Sequence, residues 1–292
     1  MADALRMAVI GHVEWVEFAL VERVPQVGEI VHATRTWQEP AGGGAVAAVQ
    51  LLKLAGNATF YTALGDDGLG RKALEGLEAL GVHVEAVFRP AAQRRCFVYI
   101  DARGERTITT IGERMGPHGT DALPWDHLAA TDGVYFTAGD GGALRAGRMA
   151  RVLVATSRVL PELAREGVPL DALVGSGKDP AERYVPGTLH PAPNLAVGTR
   201  GAAGGTYWTA DGKEGTFPPA PPPGPIVDAY GCGDSFAAGL TFALASRYGV
   251  GEALALAARC GAACLTGHGP YQGQLRLAPA PAGAPLGGPP AG

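Results

Sequence analysis

Asp228, Gly231, Gly233 and Asp234 crowd into one stretch, residues 226–240, which reads IVDAYGCGDSFAAGL. Two β-branched residues predict a strand, the glycines a turn, and the small apolar residues from Asp234 to about Ser246 a helix. Strand, turn and helix start in that order bring free backbone N–H groups to one point, where the helix dipole adds roughly half a positive charge. That is an anion site made by the N–H groups of Gly231, Cys232 and Gly233, with glycine letting the backbone come close. A carboxylate beside such a pocket is a poor phosphate ligand and a good base, so Asp234 is the candidate proton acceptor. Its plainer alternative is an N-cap aspartate on an ordinary helix.

The pattern D-x-x-G-x-G-D, followed by the aromatic Phe236 and small residues, resembles the C-terminal signature of the PfkB/ribokinase family of sugar and nucleoside kinases. Cys232 stands where that family usually has alanine. The resemblance implies an α/β fold: a ribokinase-like three-layer α/β/α sandwich with a mostly parallel sheet and a small β-sheet lid. It also implies transfer of the γ-phosphoryl group of ATP to a hydroxyl of a sugar or nucleoside, with Mg2+. A K+ ion is implied between Asp228 and the turn at residues 266–270.

Further motifs extend the resemblance and depart from it. Gly42 and Gly43, ahead of a helix that ends at Gly56, take the place of the two glycines lining the family's sugar pocket. The family's sugar-binding aspartate is Val16 here, and its asparagine after the glycines is Ala47. Val has no hydrogen-bonding group. Glu14, two residues earlier and so on the same strand face, is the substitute carboxylate; a solvated strand charge is the alternative. The T-x-G-x-x-G of Thr199, Gly201 and Gly204 resembles the family's nucleotide loop, and Gly233 joins it. Where the family has N-x-x-E, the register here gives Ser176 to Asp179, so Asp179, or Glu182 one turn on, would hold a hydrated Mg2+. Asp66 and Asp67 read as helix caps or as metal ligands, and Arg106 as a hairpin arginine within reach of the site.

These residues need a framework, and the chain supplies a βα rhythm. Strands are predicted at 6–13, 57–63, 82–88, 133–137, 152–156, 172–174 and 194–198. Helices are predicted at 71–80, 143–150, 158–166 and 253–265. Such alternation gives a doubly wound sheet with ligands at the carboxyl ends of its strands. Extended pieces at 15–21 and 28–37 and a hairpin around 101–104 predict the lid. One kinase domain is expected over residues 1–277, with lid segments at about 12–40 and 92–112, and a Pro/Gly/Ala-rich disordered tail at 278–292.

Composition narrows the classes. The 292 residues are 47% hydrophobic and 18% charged, with net charge −4, which gives no electrostatic case for nucleic acid or a membrane surface. The four cysteines have no C-x-x-C spacing and read as buried thiols; residues 1–5 lack a leader pattern, so a cytoplasmic protein is expected. The family's lid sheets often pair in a homodimer. Two other readings compete with a kinase: a catalytically degenerate family member that senses sugar or nucleotide, and a dinucleotide oxidoreductase. The second is weakened because the third spaced glycine is missing.

Overall fold

The computed structural model describes residues 5–277; the expectations for residues 1–4 and for the tail lie outside the described residues. The chain opens with β1 (Met7–His12), β2 (Glu14–Leu20), β3 (Arg35–Ala41), α1 (Gly43–Ala55), β4 (Thr59–Gly65), α2 (Gly68–Ala79) and β5 (His83–Arg89). The hairpin β6 (Arg95–Ile100) and β7 (Arg106–Ile111) follows. Then come β8 (Gly133–Phe136), α3 (Gly141–Gly147), β9 (Val152–Thr156), α4 (Leu160–Glu166), β10 (Ala172–Ser176) and β11 (Leu195–Thr199). The last elements are β12 (Gly205–Thr209), β13 (Glu214–Phe217), α5 (Cys232–Ala245) and α6 (Val250–Cys264).

A nine-stranded sheet runs β13-β12-β11-β10-β9-β8-β1-β4-β5. Its seven strands from β11 to β5 are parallel, and β12 and β13 are antiparallel additions. Parallel strands are covered on both faces, so β1 is apolar at successive positions instead of alternating. Met7 and Val9 point into the core shared with α1, α2, α5 and α6, and Ala8 and Ile10 into the core under α3 and α4. This is the doubly wound sheet that the βα rhythm predicts, in the three-layer sandwich that the family resemblance implies.

The second sheet, β3-β2-β6-β7, is the lid. Its inner side is anchored by Phe18, stacked on Trp37 with centroids 4.8 Å apart and set edge-on to Tyr230 at 5.1 Å. Asp67 caps α2, its Oδ1 accepting from the N–H groups of Leu69 at 3.0 Å and Gly70 at 2.8 Å. Its other oxygen accepts from Gln93 N, which ties the lid's root to the cap. Asp66 pairs outward with Arg71.

Two expectations need correcting. Residues 28–34 are not strand; β3 begins at Arg35, because the Pro25 and Gly28 region stays in turns held by the Arg23–Glu29 pair. Residues 226–229 are extended but join no sheet. Their N–H groups go elsewhere: Val227 and Asp228 donate to Leu265 O and Ala229 to Gly104 O, while Pro223 and Pro225 have no N–H to offer a neighbour.

Candidate active site

Helix α5 starts at Gly231, whose φ of 80° lies in the left-handed region that glycine adopts without strain. The first helical bond runs from Ser235 N to Gly231 O at 2.9 Å. The N–H groups of Cys232, Gly233 and Asp234 have no acceptor among the described residues. Three aligned free donors at the head of a 14-residue helix are the kind of arrangement that attracts an anion. The expected donors Cys232 and Gly233 belong to this set, and Gly231, the cap, likewise has no acceptor for its N–H among the described residues.

Asp234 is half-buried on this turn and faces the other glycine element. A β carbon placed on Gly43 would sit 2.8 Å from Asp234 Oδ1 and 3.6 Å from His12 Cε1. Desolvation raises the Asp234 carboxyl to about 6 against the pull of Arg158 and Arg106, with Glu182 and Glu14 adding to the rise. A carboxylate so tuned is deprotonated at neutral pH and basic enough to take a proton from an alcohol in the transition state.

The lid reaches this turn directly. Arg106 Nη1 donates to Ala229 O at 2.8 Å, and the hairpin residue Gly104 accepts from Ala229 N at 3.1 Å. Tyr230, buried, receives a hydrogen bond at its hydroxyl from Gly42 N at 3.2 Å, linking both glycine turns. Asp228 is fully buried, and its two oxygens accept from Tyr230 N at 2.7 Å and Gly269 N at 2.9 Å. The carboxylate thus pins the 266–270 turn to the head of α5.

Glu14 lies behind Gly42 and is only 7% exposed. Its Oε1 receives Arg94 Nε at 2.6 Å and its Oε2 the Cys96 thiol at 3.0 Å. Val16 and Ala47 are fully buried and apolar. His12 was not singled out by its sequence context, yet its ring borders Gly42 and Gly43 with Nε2 3.9 Å from Glu14 Oε1, and Nδ1 is buried with no partner among the described residues. Arg94, Cys96 and Arg158 were likewise silent in the sequence, since only the fold brings them here.

On the other side of Asp234, Glu182 is buried, its Oε2 accepting from Ser176 N at 3.0 Å while Oε1 faces Arg158. Asp179 is turned away into a local cap, accepting from Ala181 N at 2.9 Å. Of the two, Glu182 is the one that contributes to the potential at Asp234. Thr199 ends β11 with its O accepting from Gly177 N at 2.8 Å. Arg200 N donates to Gly204 O at 2.7 Å, closing the loop that contains Gly201. A cavity of about 350 Å3 lined by Ser176, Gly177, Glu182 and Arg200 lies beside that loop without reaching Asp234. Among the described residues no three His, Cys, Asp or Glu side chains converge as a metal site, and no helix is long and apolar enough to cross a membrane.

The sequence matches the family model described as pfkB family carbohydrate kinase over residues 4–157 and 170–275. It is 26% identical over 110 residues to a ribokinase of Staphylococcus aureus (strain COL), covering 37% of this chain and 36% of that protein. It is 30% identical over 108 residues to a ribokinase of Dictyostelium discoideum, covering 36% and 34%. The matched stretch thus spans about a third of those curated relatives. The fold is similar to the structure of a putative ribokinase from Agrobacterium tumefaciens, with TM-score 0.76 and 21% identity over 93% and 94% of the two chains. It is also similar to Arabidopsis thaliana ribokinase complexed with ribose and ATP, with TM-score 0.71 and 18% identity over 93% and 96%. Adenosine kinase from Sinorhizobium meliloti gives TM-score 0.71 and 17% identity over 92% and 96%. With the family model covering most of the chain, and the sandwich, lid and glycine turns arranged as described, this chain belongs to the pfkB family of carbohydrate kinases.

Proposed function

We propose that this carbohydrate kinase transfers the γ-phosphoryl group of ATP to a hydroxyl of a sugar or nucleoside, with Asp234 as general base. One observation carries the reading: three unpartnered N–H groups and a carboxylate tuned to about 6 share one helical turn. That turn faces Gly43 across a gap that a β carbon would close.

The transferring phosphoryl group passes through a loose transition state, so catalysis rests on positioning and charge stabilisation. The Cys232, Gly233 and Asp234 N–H groups, fixed by the Gly231 turn, hold the negative charge. Asp234 takes the hydroxyl proton. Thr199, Gly201, Gly204 and Gly233 line the nucleotide side, and Gly42, Gly43 and Glu14 the acceptor side, with Arg94 fixing the Glu14 carboxylate. One carboxylate with phosphate oxygens and water is a donor set that suits Mg2+, and Glu182, with Asp179 as the alternative, would hold it there to neutralise phosphate charge. K+ near Asp228 belongs to the same proposal. All four cysteines are free, which supports a reducing compartment such as the cytoplasm. Lid strand β7 is exposed along its length, including Ile108 and Ile111, and supports a lid-mediated homodimer.

Incubation with Mg-ATP and a panel of sugars and nucleosides, reading ADP, tests the reading. The alternative, a degenerate binder of sugar or nucleotide, draws on the apolar Val16 and Ala47. It predicts ligand binding with no ADP released by any acceptor.

A further inference from the structure

Three adjacent strands of the main sheet, β1, β8 and β9, lead at their carboxyl ends into buried polar side chains that have no partner. His12 closes β1 and is 5% exposed, Thr137 follows β8 at 2% and Ser157 follows β9 at 1%. His12 Nδ1, Thr137 Oγ1 and Ser157 Oγ make no hydrogen bond among the described residues. An unpaired buried polar atom is costly, so a row of them along the carboxyl edge of a doubly wound sheet marks where a ligand supplies the partners.

Two of the three look onto the start of α1. From the position of a β carbon on Gly43, Asp234 Oδ1 is 2.8 Å away and His12 Cε1 3.6 Å, so the base and the ring flank one point. Thr137 N donates to Ile10 O at 2.8 Å, which lays the threonine beside Gly11. Its Oγ1 fills the space that a β carbon on Gly11 would need, a position 3.1 Å from Gly44 Cα. Ser157 belongs to the other side, where its Oγ and Glu182 O together crowd Gly175. Desolvation holds His12 well below the ordinary histidine range, so its ring is neutral. The pair beside α1 is thus uncharged, one ring nitrogen and one hydroxyl, the partners that a hydroxyl group takes.

We propose that His12 Nδ1 and Thr137 Oγ1 read two hydroxyls of the phosphoryl acceptor from the floor of the cleft, beside the hydroxyl that Asp234 deprotonates. This rests on the kinase reading above and names the residues that set its acceptor specificity. Val16 and Ala47 stand where the family resemblance puts polar residues, and both are buried and apolar. The ends of β1 and β8 take over the reading that those positions have given up. The nucleotide is not the partner of this pair. Its loop follows β11, three strand spacings from β8, or roughly 14 Å at ~4.8 Å each. A bound water satisfies an orphaned atom as well, but it leaves the enzyme indifferent to the acceptor's hydroxyl pattern.

The test uses the full chain with Mg-ATP and D-ribose, D-fructose and adenosine, each beside its monodeoxy analogues. At least one parent compound is expected to exceed two of its analogues in kcat/KM by ~10-fold or more, the size of a hydrogen bond to a buried atom that is otherwise unpaired. Thr137→Val keeps the shape and removes the hydroxyl, so it is expected to abolish the preference at one position. His12→Phe is expected to abolish it at the other, and Thr137→Ser to keep the wild-type pattern. Melting curves check that the variants fold; should His12→Phe fail to, the two Thr137 variants decide. Equal rates on parents and analogues, or a preference unchanged in folded Thr137→Val, overturn the proposal. Calorimetric binding of the same compounds separates this from failure of the kinase reading. Position-selective binding that Thr137→Val loses, without any ADP release, sinks only the kinase reading. No binding of any compound, or binding indifferent to the hydroxyl pattern, sinks the assignment of His12 and Thr137.

Discussion

Asp234 Oδ1 lies 2.8 Å from the point where a side chain on Gly43 would begin. The carboxylate on α5 and the first residue of α1 therefore bound one narrow space, which the acceptor hydroxyl enters in the proposed reaction. Gly43→Ala places a methyl group there. Its φ is not in the left-handed region, so the fold should tolerate alanine. Turnover is expected to fall by ~10²-fold, as misplacement of a reacting group by about an ångström does. Steady-state kinetics together with a melting curve separate this from unfolding.

The rate should follow the Asp234 ionisation. The base works deprotonated, and burial raises it to about 6, so kcat/KM should climb with pH through about 6 and level off above. A profile flat between pH 5 and 8, measured with the ADP readout, removes the base assignment.

Asp234→Asn should lower turnover by ~10²-fold or more and leave nucleotide binding in place. It should also stabilise the fold. The carboxyl is raised from 3.8 to about 6, so the folded state binds the proton more tightly than the unfolded chain, and ionisation destabilises the fold. The penalty is absent below pH ~3.8, grows up to about 6 and is constant above. Two units are ~3 kcal/mol at most, and a partly exposed group keeps ~1 kcal/mol of that. Melting curves at pH 8 and pH 4 should show the mutant's advantage at the first only.

Much of this was readable from residue order. The βα rhythm predicts the sheet because covered parallel strands are continuously apolar, and Gly231, Gly233 and Asp234 announce the glycine turn that starts α5. What stayed hidden is what the fold assembles from afar. His12 looks like one more strand residue, and Glu14 gives no sign that Arg94 and Cys96, some 80 positions on, occupy both its oxygens. The stretch before Asp228 failed for a related reason. Its β-branched pair has strand propensity, but its N–H groups donate to Leu265 O and, at Ala229, to the lid's Gly104 O, so it runs extended outside the sheet.

The buried pair gives its own prediction. Glu14→Gln leaves Arg94, 15% exposed at its side chain, without its countercharge. Breaking a buried pair by removing one partner costs ~3 kcal/mol, so the melting temperature should drop. The KM for the acceptor should rise ~10-fold or more while the KM for Mg-ATP holds. Unchanged acceptor affinity would show that Glu14 only supports the lid.

The two glycines of the anion turn should respond in opposite ways to alanine. Gly231 has φ 80°, and a β carbon on it would lie 2.9 Å from Pro270 Cβ and 3.0 Å from Val46 Cγ1. The left-handed backbone alone costs a side chain ~1–2 kcal/mol, and the packed neighbours add to that, so Gly231→Ala should lose stability. Gly233 is exposed, with ordinary φ, and a β carbon there meets nothing within 4 Å. Gly233→Ala should melt within ~0.5 kcal/mol of the wild type. Its methyl group would project where a phosphoryl oxygen must approach the N–H groups, so turnover should still fall by ~10²-fold. Equal activity in Gly233→Ala and the wild type would mean that no phosphate comes to this turn.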